Sequence, residues 1–218
     1  MAKDLANASS GGGDEAPAER IVRVARERLF AHGYSALTMD ALAHELGMSK
    51  KTLYSRFASK DEIIAAVIDT AGRAIRAKVE PILTDAGLSF TTKLRQVVAI
   101  VGTHWGRVSP SLLRELERFA PALHRRLEEL KQHNIPLVIG RLLRMGAAAG
   151  MIRKDVDPDF AVAFWLHSLN GLLAPESLER LDLTPREAFE KGVRLFFWAV
   201  LTDAGRADFL STEKGTRT

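Results

Sequence analysis

From Glu19 onward, apolar side chains recur at intervals of three and four residues, and no stretch alternates apolar and polar residues as a half-buried strand would. That periodicity admits one fold class. The chain is expected to be all-α, with about nine helices over residues 21–32, 39–46, 50–57, 59–80, 90–105, 110–119, 121–149, 159–173 and 185–201. Pro81 is expected to break the fourth helix, and Pro136 to interrupt or kink the seventh. Residues 159–173 are apolar nearly all round, which implies burial on more than one side. Residues 1–18 hold three consecutive glycines and little apolar surface, so they are read as a disordered tail. Residues 204–218 are read as a C-terminal tail, with fraying from about Asp203. The apolar run 195–201 has seven residues, against the ~20 that span a bilayer. The N-terminal stretch has no apolar core of the secretory kind, so no membrane partner is expected. Cysteine is absent, which removes disulfides, thiolate metal sites and cysteine nucleophiles, and fits a reducing, cytoplasmic setting.

Charge is unevenly spread along the 218 residues. The chain carries 31 Lys and Arg against 27 Asp and Glu, a net charge of +4. Residues 19–60 hold eight basic residues and four acidic ones, so this short segment carries +4 by itself. A compact basic segment is the electrostatic footprint of a polyanion binder.

The same segment contains the most specific motif. Residues 39–46 and 50–57 form two short helices joined by a tight turn at Gly47, with Thr38 and Ser49 placed as caps. Ser59 and Glu62 form a capping box that opens the next helix. Two short helices around such a turn make a helix-turn-helix, whose second helix lies in a DNA major groove. Leu53 and Phe57 are one turn apart and anchor the second helix to a core. Lys50, Lys51, Thr52, Tyr54 and Arg56 then point outward, with cations and hydroxyls suited to phosphates and base edges.

Residues 21–67 resemble the DNA-binding domain of the TetR family of bacterial transcription regulators. The resemblance rests on Gly33, Tyr34, Thr38, Ala41, Ala43, Gly47, Ser49, Lys50, Thr52, Leu53, Tyr54, Phe57, Ser59, Lys60 and Glu62. It implies that Thr38, Tyr54 and Lys60 contact phosphates and that Met39, Lys51 and Thr52 lie nearest base edges. The chain departs from the pattern at Lys51, where a small residue is common, and at Ser55-Arg56, where an aromatic or His is usual. The resemblance further implies a DNA-binding domain over residues 19–66 and a helical ligand-binding and dimerisation domain over 67–203. The implied function is a ligand-responsive repressor, a homodimer on a palindromic double-stranded DNA operator, released when an effector shifts the fourth helix. A regulator answering to a protein partner and a non-specific architectural DNA-binding protein are the competing readings.

Elsewhere the sequence offers no catalytic signature. The six histidines form no metal-ligand spacing, and no nucleophile elbow, phosphate loop or dinucleotide fingerprint occurs. No enzyme, metal or cofactor is expected. The large rings of the C-terminal part suggest an effector pocket among helices, formed by His104, Trp105, Phe119, Met145, Phe164 and His167, with Asn170 as a further polar member. Such a lining favours a small, largely apolar effector.

Overall fold

The structure is a computed structural model, and it describes residues 16–211. Those residues form eleven helices: α1 (Pro17–Ala36), α2 (Met39–Leu46), α3 (Lys50–Tyr54), α4 (Lys60–Thr84), α5 (Phe90–Trp105), α6 (Pro110–Phe119), α7 (Pro121–Ala148), α8 (Pro158–Leu173), α9 (Pro175–Leu181), α10 (Pro185–Val200) and α11 (Asp203–Ser211). No strand occurs among the described residues beyond one isolated bridge between Ile152 and Leu201. The fold is all-α. The expected tail over residues 1–18 lies outside the described residues up to residue 15, and Pro17 and Ala18 already belong to α1.

Local chemistry sets most helix starts. Six of the eight prolines open a helix, where the missing N–H is not needed and the fixed φ suits the first turn. Ser, Thr and Asp side chains accept from the free N–H groups at seven helix starts. The capping box is complete at α10, where Thr184 and Glu187 bond each other's backbone. At α4 Ser59 accepts from the Glu62 N–H, but the Glu62 carboxylate reaches the Ala58 N–H instead of that of Ser59.

Four expectations about the elements are corrected. Pro81 does not end α4; Val79 and Leu83, buried on either side of it, hold the last turn against the core. Helix α7 runs through Pro136 without interruption, the carbonyl left unpaired four residues earlier belonging to exposed Gln132. Residues 175–181 form the short helix α9, held by buried Leu178. Residues 203–211 are not a frayed tail but α11, docked on α5 by the Thr91 hydroxyl, which donates to Asp208 at 2.5 Å.

Two apolar cores result. The smaller joins α1–α3 and the first half of α4 to Leu112, Leu116, Ala120 and Leu123 of α6 and α7. The larger is built on α5, α7, α8 and α10 and takes in Val79 and Leu83 from the far end of α4. The spatial boundary therefore cuts across the chain order, because α6 comes from the C-terminal part yet packs in the N-terminal core. Gly205 shows how closely α11 is seated: a Cβ there would lie 2.5 Å from the Met151 carbonyl oxygen. Gly205→Ala is expected to cost about 1–3 kcal/mol through overpacking against backbone, read as a lower melting midpoint; an unchanged midpoint would show α11 to be loosely held.

Candidate DNA interface and internal cavity

The helix-turn-helix is built by caps and a left-handed turn. Thr38 Oγ1 accepts from the Ala41 N–H at 3.1 Å, and Ser49 Oγ accepts from the Thr52 N–H at 3.1 Å. Gly47 closes α2 with φ of 64°, a conformation that disfavours a side chain, and its N–H returns to the last turn of that helix. Leu42, Leu46 and Leu53 are buried in the core beneath. This geometry turns the other face of α3 outward. Lys51, Thr52, Tyr54 and Arg56 are exposed, Tyr54 by 51%. Among the described residues the side chains of Lys51 and Arg56 have no ionic or hydrogen-bond partner, so their charges face solvent uncompensated.

Other expected interface residues are more engaged. Lys50 donates to Asp40 at 2.7 Å, and that bond holds its ammonium above its ordinary pKa. Lys60 is half-buried; its ammonium lies 3.8 Å over the Tyr34 ring centroid and donates to the Tyr34 carbonyl at 3.2 Å. Met39 is packed into the core and only 8% exposed, so it offers little surface in this conformation. The Tyr34 hydroxyl donates to Asp61 at 2.9 Å, and burial with that carboxylate raises its pKa to about 12. Tyr34 thus ties the end of α1 to the start of α4. Glu115 of α6 accepts from the Ser35 N–H at 2.7 Å beside Gly33, where φ is 84°.

A cavity of about 110 Å³ lies in the larger core, walled by α4, α5, α7, α8 and α10. Its lining is apolar apart from His104, Lys131 and Asn134. Of the residues expected to line a pocket, the structure brings His104 and Trp105 there and not the others. Phe119 is 55% exposed at the end of α6, beneath the Arg118 guanidinium. Met145 packs on the larger core away from the cavity. Phe164 and His167 sit on the outer side of α8, along a groove shared with α10, because the inward side of that helix is filled by Trp165 and Leu169. Asn170 is half-buried with its Oδ1 unpartnered. Lys131 and Asn134 escaped sequence reasoning because they sit in the polar run of α7. Their spacing with Leu127, Ile135, Val138 and Leu142 places all of them on one face, the signal that was available.

The His104 imidazole is held below its ordinary pKa, chiefly by burial and then by Arg107, Arg26 and Lys78. Along the outer edge of the α4–α7 seam, Arg126 binds Asp69 through two bonds of 2.8 and 2.6 Å, and Arg141 binds Glu80 at 2.6 Å. Between those pairs Arg76 donates to Asn134 Oδ1 at 2.6 Å. Among the described residues no group of three His, Asp or Glu is placed to hold a metal ion, and no helix is long and apolar enough to cross a membrane.

Residues 21–67 match the family model of bacterial regulatory proteins of the tetR family. That segment is a TetR-type helix-turn-helix domain. The chain is 26% identical over 176 residues to the HTH-type regulator YvaF of Bacillus subtilis, spanning 81% of this chain and 92% of that one. It is 25% identical over 186 residues to the HTH-type transcriptional regulator UidR of Escherichia coli, spanning 84% and 92%. The fold superposes on a TetR-family regulator from Marinobacter aquaeolei with a TM-score of 0.68 at 18% identity, covering 93% and 99%. A complex of SmeT with triclosan gives a TM-score of 0.62 at 21% identity, covering 87% and 93%. The chain is a DNA-binding regulator of transcription, the role that the names of its relatives carry. Within this TetR-type domain the cap on α3 is a local stability element. Ser49→Ala is expected to cost about 0.5–2 kcal/mol, measured by denaturant unfolding, and to weaken operator binding by loosening the start of α3.

Proposed function

We propose that this protein is a TetR-family repressor that grips a palindromic operator as a homodimer and lets go when a small, largely apolar molecule enters the internal cavity. The observation that carries the reading is the placement of α4. Its first half packs Ile63, Ile64 and Val67 beneath the helix-turn-helix, and its second half presents Ile75 to the cavity. A cavity of about 110 Å³ falls below the ~300–1,000 Å³ of sites for drug-sized ligands. Filling it with anything larger than a small ring must separate its walls, and α4 is one of them. The effector acts through its higher affinity for the spread state, and a tenfold loss of operator affinity requires about 1.4 kcal/mol of coupling.

Two supports favour a homodimer. Reading one palindrome requires two recognition helices ~34–36 Å apart. The outer faces of α8 and α10 also carry Phe160, Phe164, Leu195 and Trp198, exposed by 70, 54, 75 and 44%. Contiguous apolar exposure of this kind marks an interface between copies. On the operator, Lys51 and Thr52 are assigned to base edges and Thr38, Tyr54, Arg56 and Lys60 to phosphates, with Lys50 steering between Asp40 and the backbone.

Light scattering of the 24.0 kDa chain is expected to give twice that mass, and Leu195→Glu to reduce it to the monomer. A wild-type monomer at micromolar concentration defeats the homodimer. Selection from a random duplex pool is expected to enrich an inverted repeat; its absence would favour an architectural role. On the selected site, Lys51→Ala should cost about 1–3 kcal/mol at one base pair, whereas Arg56→Ala should weaken all sites alike and flatten the salt dependence. Val98→Phe, which fills the cavity, is expected to retain operator affinity and lose the effector response.

A further inference from the structure

The polar end of the cavity carries more positive than negative charge. Asn134 lines the cavity, and its amide oxygen is taken by Arg76 of α4 at 2.6 Å. Arg76 is half-buried and has no carboxylate partner among the described residues, whereas Arg126 and Arg141 on the same seam each hold one. Lys131 also lines the cavity and is paired with Glu128 one turn back on its own helix. Nearby, the charges acting on His104 are those of Arg107, Arg26 and Lys78, all positive. Elsewhere the walls are aliphatic and aromatic. A guanidinium held by a neutral amide alone, in a partly dry seam, is a poorly compensated cation, and an anion placed there gains far more than one in water.

We propose that the cavity takes a small organic acid, an apolar body of about one substituted ring bearing a single anionic head that Arg76, Lys131 and Asn134 hold at the α4–α7 seam. This rests on the reading of the cavity as the effector site and names the class of its ligand. The body's size follows from volume, since a cavity of ~150 Å³ admits benzene and this one is slightly smaller. The head's charge follows from Arg76. A carboxylate that captures this guanidinium bidentately draws it off Asn134, and the Arg76–Asn134 bond is the polar tie between α4 and α7 closest to the cavity. Effector charge and release of α4 are thereby the same event. A neutral ligand would leave the tie in place, and a cation would meet Arg76 and Lys131 with like charge.

Three probes of one shape separate these cases: benzoate, benzamide and benzylammonium. Calorimetry on the full chain is expected to give binding of the benzoate at least tenfold tighter than the amide, with the ammonium weakest. In Arg76→Met the preference for benzoate over amide is expected to shrink at least fivefold while amide binding is unchanged, and Arg76→Lys should restore part of it. Lys131→Met, compared with wild type by melting midpoint, provides a second variant with the same expected loss. Equal binding of benzoate and amide, preference for the ammonium, a preference that survives both variants, or no binding of any probe would each overturn the proposal. Titrating the benzoate into the protein–operator complex tests the underlying reading separately. Charge-selective binding that leaves the operator complex intact would uphold the acid site and remove its role as effector site.

Discussion

Helix α4 is buried in two cores at once, and the rest of the molecule is arranged around that constraint. Its 25 residues span about 37 Å at 1.5 Å per residue. Ile63 and Ile64 are fully buried at one end, Val79 and Leu83 nearly so at the other. Full burial of an aliphatic side chain is worth about 1.5–3 kcal/mol, so each end is anchored by several kcal/mol. The exposed ion pairs along the seam contribute about 1 kcal/mol each at most. The helix is anchored in both cores, and the seam contacts lie between the two anchors.

A second connection ties the larger core to the DNA-binding unit. Leu112 and Leu116 of α6 share the smaller core with α1 and α2, and Glu115 bonds the Ser35 backbone where Gly33 bends the chain. Packing supplies most of the adhesion here. The carboxylate contributes register, since a hydrogen bond to a charged group adds about 1.5–3 kcal/mol and only in one geometry. With α4 on one side and α6 on the other, the helix-turn-helix is clamped by two elements that both continue into the larger core.

Electrostatics divides the molecule by surface rather than by sequence. Lys51 on α3 and Arg56 in the turn that follows it face solvent without partners and are free for a polyanion. At the seam, Arg76 has an amide where its neighbours have carboxylates. On the outer side of α8 and α10 the exposed face is apolar, with Phe164 stacked on Phe196 at 6.5 Å. Three surfaces of different chemistry thus correspond to the DNA, effector and second copy of the proposed function.

How much of this was legible follows from how local each cause is. The helix-turn-helix could be read directly because its determinants lie within a few residues of one another: Thr38 and Ser49 as caps, Gly47 at positive φ, Leu53 buried against Leu42 and Leu46. Pro110, Pro121 and Pro185 likewise marked three helix starts. The C-terminal end of α4 and the existence of α9 and α11 were not legible, because Val79, Leu178 and Gly205 act through distant partners. The cavity divides the same way. Sequence alone specified that α8 is apolar all round, but Trp165 and Phe164 are adjacent and chemically alike. Only the crossing of α8 with α10 turned the first inward and left the second on the surface. Lys131 and Asn134 lie in a polar run, and only the packing of α4 and α5 on α7 makes them part of a cavity wall. Periodicity of 3.6 states which residues share a face; what covers that face is decided by helices far away in the chain, where no local pattern reaches.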